Sequence, residues 1–135
     1  MKCQASFEFM LILIIGITIL IPTIAFVSFY QIYYRDAYKI SAAQDTVDKL
    51  AEAAESIYLQ GYPARITLSV YIPEGVTGYH VENRTILFKV RTFSGETHVY
   101  STPNTNVTGS LPTTAGRHQI VIRNEKTYVK ISEEV

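Results

Sequence analysis

The sequence predicts an α+β protein in which one long N-terminal α-helix, first apolar and then amphipathic, precedes a small antiparallel β-sandwich or barrel. Three observations lead to this fold class. The chain begins with an almost uniformly apolar segment, continues with apolar residues at helical spacing, and changes to a two-residue alternation after Pro63. A length of 135 residues leaves room for one modest domain besides the apolar segment.

The apolar segment is long enough to form a membrane-spanning helix. No charged residue occurs between Phe9 and Tyr30, and about 22 helical residues at about 1.5 Å each cross the hydrocarbon core of a bilayer. Pro22 lies within this run, and because proline lacks a backbone N–H, a kink or a locally unwound turn is expected there. An aromatic band follows, which is typical of an interfacial belt or of packing between subunits: Phe26, Phe29, Tyr30, Tyr33, Tyr34 and Tyr38.

The helix is predicted to continue through an amphipathic half, residues 31–60. Gly61 and Pro63 then provide a left-handed cap and a residue that cannot extend a helix. Steps of three and four place the apolar residues of this half on one stripe. The stripe consists of Ile40, Ala43, Val47, Leu50, Ala51, Ala54, Ile57 and Tyr58.

Alternating apolar and polar residues predict five to seven short strands in the C-terminal domain, residues 61–135. The clearest strands lie at 66–72, 86–91 and 97–101, and a final pair at 119–123 and 127–132 flanks a short turn. Glycine and proline mark the turns between them. The predicted core of this domain consists of Ile66, Leu68, Val70, Ile86, Phe88, Val90, Ile120, Ile122, Val129 and Ile131.

Composition argues against several functional classes. The twelve basic and twelve acidic residues are spread thinly along the chain, so no basic cluster indicates nucleic acid as a partner. Cys3 is the only cysteine, which leaves no internal disulfide. It precedes the apolar run, whereas a lipoprotein cysteine follows one. The run is also longer than the apolar core of a secretory signal, so the helix is expected to be retained.

No catalytic or metal-binding motif is present in the sequence. Nucleophile-elbow, P-loop, zinc-protease and paired-carboxylate patterns are missing, so we expect neither an enzyme nor a cofactor. His80, His98 and His118 have no acidic or cysteine partner at ligand spacing, which favours structural or surface roles over a metal site. Asn83 and Asn106 each begin an Asn-X-Thr sequence and are candidate N-glycosylation sites.

The first residues carry a family resemblance. The stretch Gln4-Ala5-Ser6-Phe7-Glu8-Phe9 resembles the Q-x-S-x-E-F opening of archaeal type IV pilins with a class III signal peptide. The resemblance implies that a prepilin peptidase cleaves between Cys3 and Gln4 and removes residues 1–3 as a leader. Cys3 stands where the family often has glycine. Glu8 would then be the fifth residue of the mature chain, where pilins carry a glutamate.

Glu8 also has a physical role that can be stated from its setting. A carboxylate among apolar side chains is costly unless it is paired. Cleavage before Gln4 would create an α-amino group within reach of Glu8 on the same chain or a neighbouring one, and the pair could fix the axial register of adjacent helices. Gln4 and Glu8, together with Phe9, which the resemblance to the pilin opening adds, are the predicted assembly residues. The alternative is a glutamate that extends to the lipid headgroups.

The resemblance implies a structural subunit of an archaeal type IV pilus-like filament on the cell surface, used for adhesion. Its partners would be other copies of the chain, prepilin peptidase, the pilus assembly machinery and, before assembly, the membrane. Residues 4–30 would form the filament core, with the β domains outside. The alternative is a single-span membrane protein whose exported β-sandwich binds a ligand or partner without forming filaments. The continuous apolar stripe in residues 31–59 argues against that alternative, because an isolated stalk has no use for it.

Overall fold

The computed structural model describes residues 2–134 and confirms the α+β fold class. In this part of the chain, one helix, α1 (Lys2–Gln60), precedes seven strands in two sheets. The strands are β1 (Arg65–Ile72), β2 (Val76–Glu82), β3 (Thr85–Thr92), β4 (Gly95–Ser101), β5 (Val107–Gly109), β6 (Gly116–Asn124) and β7 (Val129–Glu133).

Helix α1 begins two residues before the predicted Gln4 and ends at the predicted place. Gly61 has a φ of 81°, and its N–H donates to the carbonyl of Tyr58 at 3.2 Å. This left-handed residue closes the helix because glycine adopts positive φ without a steric penalty from Cβ.

The chain forms two compact units, and the boundary lies inside α1. The first unit ends at Arg35, and the second begins at Asp36 and includes all seven described strands. The sequence-based division placed the helix, residues 4–60, in one segment with two parts, 4–30 and 31–60, and the strands, from residue 61, in another. Residues 36–60 belong with the strands because their apolar stripe is buried among strand side chains.

The second unit contains a four-stranded sheet, in the order β1-β6-β7-β5, and a three-stranded sheet, in the order β2-β3-β4. Neighbouring strands are antiparallel except β5 and β7, which are parallel. Two strands were missed by the sequence-based prediction. The register of β2 shifts between Val76 and Gly78, which breaks the alternation. Strand β5 has three residues, too few for a periodic pattern.

Residues 36–60 of α1 and both sheets share one hydrophobic core. Its largest fully buried side chains are Phe88, Leu50, Ile57, Ile72, Ile86, Ile120, Ile122 and Ile131. Two core predictions need correction, because Ile66 is 40% exposed and Leu68 is half-buried. Both lie in the first half of β1, which is an edge strand. Tyr58, predicted on the apolar stripe, is 43% exposed because Ile57 takes the buried position in the last helical turn.

Hydrogen bonds fasten residues 36–60 of the helix to both sheets. The buried Thr46 hydroxyl donates to the carbonyl of Tyr71 in β1 at 2.6 Å. The Asp36 carboxylate accepts from the N–H of Phe93, between β3 and β4, at 2.7 Å. Asn124, at the end of β6 and 4% exposed, donates to the carbonyl of Ile57 at 3.1 Å. These bonds fix the helix against the strands: two join helix side chains to backbone atoms of the sheet region, and the third joins a strand side chain to a helix carbonyl.

Candidate functional site

The first unit presents apolar side chains without any covering from its own residues. Every side chain from Cys3 to Arg35 is exposed, and the large apolar ones retain between 41% (Ile32) and 71% (Phe29) of their accessible surface. An apolar surface of this extent calls for lipid or protein as its surroundings. By its length and composition, α1 is able to cross a membrane.

Gln4 and Glu8 lie four residues apart near the start of this surface, and both are exposed. Residues at this spacing lie on the same face of a helix. Glu8 is the only charged residue between Gln4 and Tyr30. Among the side chains that the structure describes, none forms an ion pair with it.

Three hydroxyl groups of the same segment differ from Glu8 because their hydrogen bonds are made inside the helix. Each donates to the carbonyl four residues earlier, a geometry that satisfies a polar group in apolar surroundings. The pairs are Thr18 with Ile14 at 2.7 Å, Thr23 with Ile19 at 2.7 Å, and Ser28 with Ile24 at 2.9 Å. Glu8 differs from these hydroxyl groups because it is ionisable and has no ion-pair partner among the described side chains.

Pro22 and Gly16 interrupt the regular apolar surface. Helix α1 continues through Pro22, so no unwound turn is present there, and the predicted kink stays a prediction. The proline has no N–H for the carbonyl of Thr18, four residues earlier. A Cβ added at Gly16 would meet nothing within 4 Å. Glycine costs a helix about 1 kcal/mol relative to alanine, and small residues such as glycine are enriched where membrane helices pack closely together.

The aromatic band lies at the end of the first unit and the start of the second. Phe26 stacks on Tyr30 with ring centroids 5.7 Å apart, and Tyr30 meets Tyr34 edge-on at 4.7 Å. The Tyr34 hydroxyl donates a hydrogen bond to the Tyr30 hydroxyl at 3.4 Å, which raises the pKa of Tyr34 because ionisation would lose that bond. Phe29 and Tyr33 each remain 71% exposed, so part of the band is available to lipid headgroups or a neighbouring chain.

The amphipathic stripe is covered by the chain itself. Ala43, Val47, Leu50 and Ala54 are 0% exposed, and Ile57 is 1% exposed, within the core of the second unit. The stripe is therefore buried within a single molecule. It no longer argues against a non-filament membrane protein, because it does not need a neighbouring subunit to cover it. Evidence for assembly must come from the first unit.

The two candidate glycosylation sites are neighbours in the fold. Asn83 lies in the turn between β2 and β3, and the N–H of Val107, next to Asn106, donates to its carbonyl. Both asparagines are exposed. Asn83 has a φ of 56°, a conformation that asparagine tolerates better than most residues, so its own turn explains it. Glycosylation at either residue stays a prediction.

The three histidines lie on three different strands, each beside a glutamate. The His–Glu distances are 3.8 Å for His80 and Glu82, 3.2 Å for His98 and Glu96, and 2.7 Å for His118 and Glu133. The His118 ring also contacts the carbonyl of Thr114 at 2.9 Å through its second nitrogen, Nε2. Over residues 2–134, no group of three or more His, Cys, Asp or Glu side chains is placed to hold a metal ion.

The fold also brings together basic residues that are scattered in the sequence. Arg65 of β1 pairs in register with Arg123 of β6, which pairs with Lys130 of β7. The inference from the sequence that no basic cluster exists is therefore wrong for the folded chain. Alternation along each strand indicates which face a residue occupies. It does not indicate that these three basic residues lie side by side, because that depends on which strands are neighbours.

No family model, curated protein or solved structure shows significant similarity to this chain. Function must therefore be inferred from the chemistry of the two units and from the resemblance of residues 4–9. The feature that most needs explanation is one carboxylate, Glu8, near the start of an uncovered apolar helix.

Proposed function

We propose that this protein is the structural subunit of an archaeal type IV pilus-like filament, made as a membrane-anchored precursor and used for adhesion. The observation that carries the proposal is the exposed apolar surface of residues 3–35, with Glu8 as its single charge before Arg35. The resemblance of Gln4-Ala5-Ser6-Phe7-Glu8-Phe9 to the pilin opening gives this surface a use in assembly.

In this proposal, prepilin peptidase cleaves between Cys3 and Gln4, both of which are exposed. The mature chain begins at Gln4 with a free α-amino group, four residues before Glu8. An unpaired carboxylate in apolar surroundings costs several kcal/mol, and an ammonium partner offsets much of this cost. A neighbouring copy supplies the ammonium when its Gln4 lies level with Glu8, so the pair selects one axial offset between helices.

Transfer from lipid to a filament core exchanges one apolar environment for another. The hydrophobic effect therefore contributes little, and helix contacts and polar pairs have to supply the free energy of assembly. Gly16 permits close helix contact, while Thr18, Thr23 and Ser28 keep their hydroxyl bonds within their own helix. Residues 4–30 pack in the core, and the second unit stays outside it.

A second candidate is a single-span membrane protein with an exported β domain that binds a partner. The buried stripe of the second unit favours it, because that unit needs no neighbour to cover its helix. Lipid would cover the first unit equally well. The candidates differ at Glu8, because a simple anchor functions without a carboxylate near the start of its apolar run.

Processing is the most direct test. The full chain is expressed in an archaeal host with and without active prepilin peptidase, and the surface-exposed and membrane fractions are analysed by intact mass and N-terminal sequencing. The proposal expects filaments whose subunit begins at Gln4, and only full-length membrane protein without the peptidase. A chain that keeps residues 1–3 and stays in the membrane when the peptidase is active would favour the single-span candidate.

A further inference from the structure

The outer face of the four-stranded sheet carries a row of three cations on adjacent strands. Along β1, the side chains alternate between the core face, which includes Val70 and Ile72, and the outer face, which includes Arg65. Residues paired in register share a face, so Arg65, Arg123 and Lys130 form one outward row across β1, β6 and β7. All three side chains are exposed, and adjacent strands are about 4.8 Å apart.

This row is unfavourable for the isolated unit. Like charges directly opposite each other on neighbouring strands destabilise a sheet. Within the described strands of this sheet, no outward position carries Asp or Glu. Glu134 follows β7 and lies 3.8 Å from Arg65, with the two side chains 43% and 49% exposed, so this pair contributes little. The chain has a formal net charge of zero, and the fold has placed a positive excess on one face.

Neutral hydrogen-bonding side chains surround the row. Thr67 and Ser132 flank Val121 in the adjacent cross-strand row, and Thr108 of β5 pairs with Lys130 and extends the cationic row. Tyr71, on the outward face of β1, lies at the opposite end of that strand from Arg65 and pairs in register with Arg117, a fourth exposed cation of this face. The row of Arg65, Arg123 and Lys130 therefore offers guanidinium and ammonium groups beside hydroxyl groups, and no aromatic residue stands between these three cations.

We propose that this face binds an acidic polysaccharide, a linear sugar polymer that bears carboxylate or sulfate groups. Guanidinium groups bind such oxyanions through two parallel hydrogen bonds, and threonine and serine hydroxyls match the hydroxyls of the sugar rings. A single-stranded nucleic acid is bound by aromatic rings interleaved with cations, and a duplex is read by an element that enters a groove. The row of Arg65, Arg123 and Lys130 has no aromatic ring between its cations and belongs to no element that could enter a groove. This binding goes beyond the proposed filament role and does not depend on assembly.

The test uses the purified full-length protein in a neutral detergent, with heparin as the sulfated and carboxylated probe. Titration calorimetry at several salt concentrations measures the affinity. We expect saturable binding that weakens as the salt concentration rises, because salt screens the charges and competes for the polymer. Neutral dextran of the same length should not bind. Absence of heparin binding at low salt would overturn the proposal.

Matched variants locate the site. The double variant R123Q/K130Q should lower heparin affinity by about tenfold or more, since hydrogen bonds to charged groups are the stronger class. The control K89Q/R91Q removes the same charge from two exposed residues of β3 in the other sheet, and should change affinity by less than about twofold. Circular dichroism checks that both variants stay folded.

Two further outcomes would overturn the proposal. Equal loss of affinity in both double variants would mean that diffuse charge, and not the row, attracts the polymer. Tighter binding to duplex DNA of equal total charge than to heparin would assign the face to nucleic acid. Neither result bears on cleavage at Gln4, so this proposal and the filament proposal can fail separately.

Discussion

Asn124 gives the clearest test of how the helix is held in the second unit. Its side-chain amide donates to the carbonyl of Ile57 at 3.1 Å and to that of Tyr58 at 3.3 Å, and its Oδ1 accepts from the N–H of Lys126 at 2.8 Å. Ile57 and Tyr58 belong to the last turn of α1, whose carbonyls have no partner within the helix. Asn124 therefore caps the helix from a strand.

Replacement of Asn124 by alanine removes these three hydrogen bonds from a residue that is 4% exposed. At about 1 kcal/mol for each bond, with a further cost for a buried carbonyl left without a donor, the loss is about 2–4 kcal/mol. A domain of this size then unfolds at least about 8 °C lower. Asn124→Asp should lower the unfolding temperature at least as much, because a carboxylate oxygen would face the two carbonyl oxygens.

The assay follows thermal unfolding of the full chain in detergent by near-ultraviolet circular dichroism, which reports on its ten tyrosines without interference from tryptophan. Asn106→Ala is the matched control. It makes the same chemical change at an exposed residue, and should alter the unfolding free energy by less than about 0.5 kcal/mol. Equal shifts for the two alanine variants would refute the capping role of Asn124.

Three other predictions concern assembly, backbone geometry and the division into units. Glu8→Gln should be cleaved and inserted normally but yield few or no filaments by electron microscopy, and normal yield would refute the charge pair. Gly109→Ala should destabilise far more than Gly116→Ala in the same thermal assay, because a Cβ at Gly109 would lie 1.8 Å from the Ile131 carbonyl oxygen and one at Gly116 meets nothing within 4 Å. A fragment of residues 36–135 should be water-soluble and rich in strand by circular dichroism, and an insoluble or wholly helical fragment would contradict the unit boundary.

Local patterns predicted the elements whose determinants are local. The end of α1 follows from Gly61, which supplies the left-handed cap that the sequence indicated. Strand β3 was predicted from the alternation of Ile86, Phe88 and Val90, and all three are 0% exposed. In both cases a few consecutive residues carry the whole signal.

Elements that depend on pairing between distant segments could not be predicted in this way. Strand β5 is held by parallel pairing with β7, which no feature of its three residues indicates. Ile66 is exposed although Val70 and Ile72, on the same face of β1, are buried, because alternation specifies a face but not how far the core extends beneath it. The cationic row could not be predicted either, because it depends on the register of three strands, β1, β6 and β7.

The candidate assembly site could be proposed from the sequence because it is contiguous, and its role in assembly stays a prediction. Gln4, Glu8 and the apolar run need no tertiary contact to be recognised, and the structure leaves this surface uncovered within its own unit. The amphipathic stripe required the structure. Its spacing predicted one buried face, but sequence alone could not say whether strands of the same chain or a neighbouring subunit would cover it.

The division of the chain into two units separates the energetics of folding from those of assembly. The described hydrophobic core lies in the second unit, whereas the uncovered apolar side chains from Phe7 to Tyr34 lie in the first. A change in the core of the second unit therefore alters how much folded precursor is available. In the proposed filament, a change at Glu8 or Gly16 alters helix contacts while the second unit stays folded. Filament yield normalised to folded precursor should therefore change little when a core residue of the second unit is substituted. It should fall strongly when Glu8 or Gly16 is substituted.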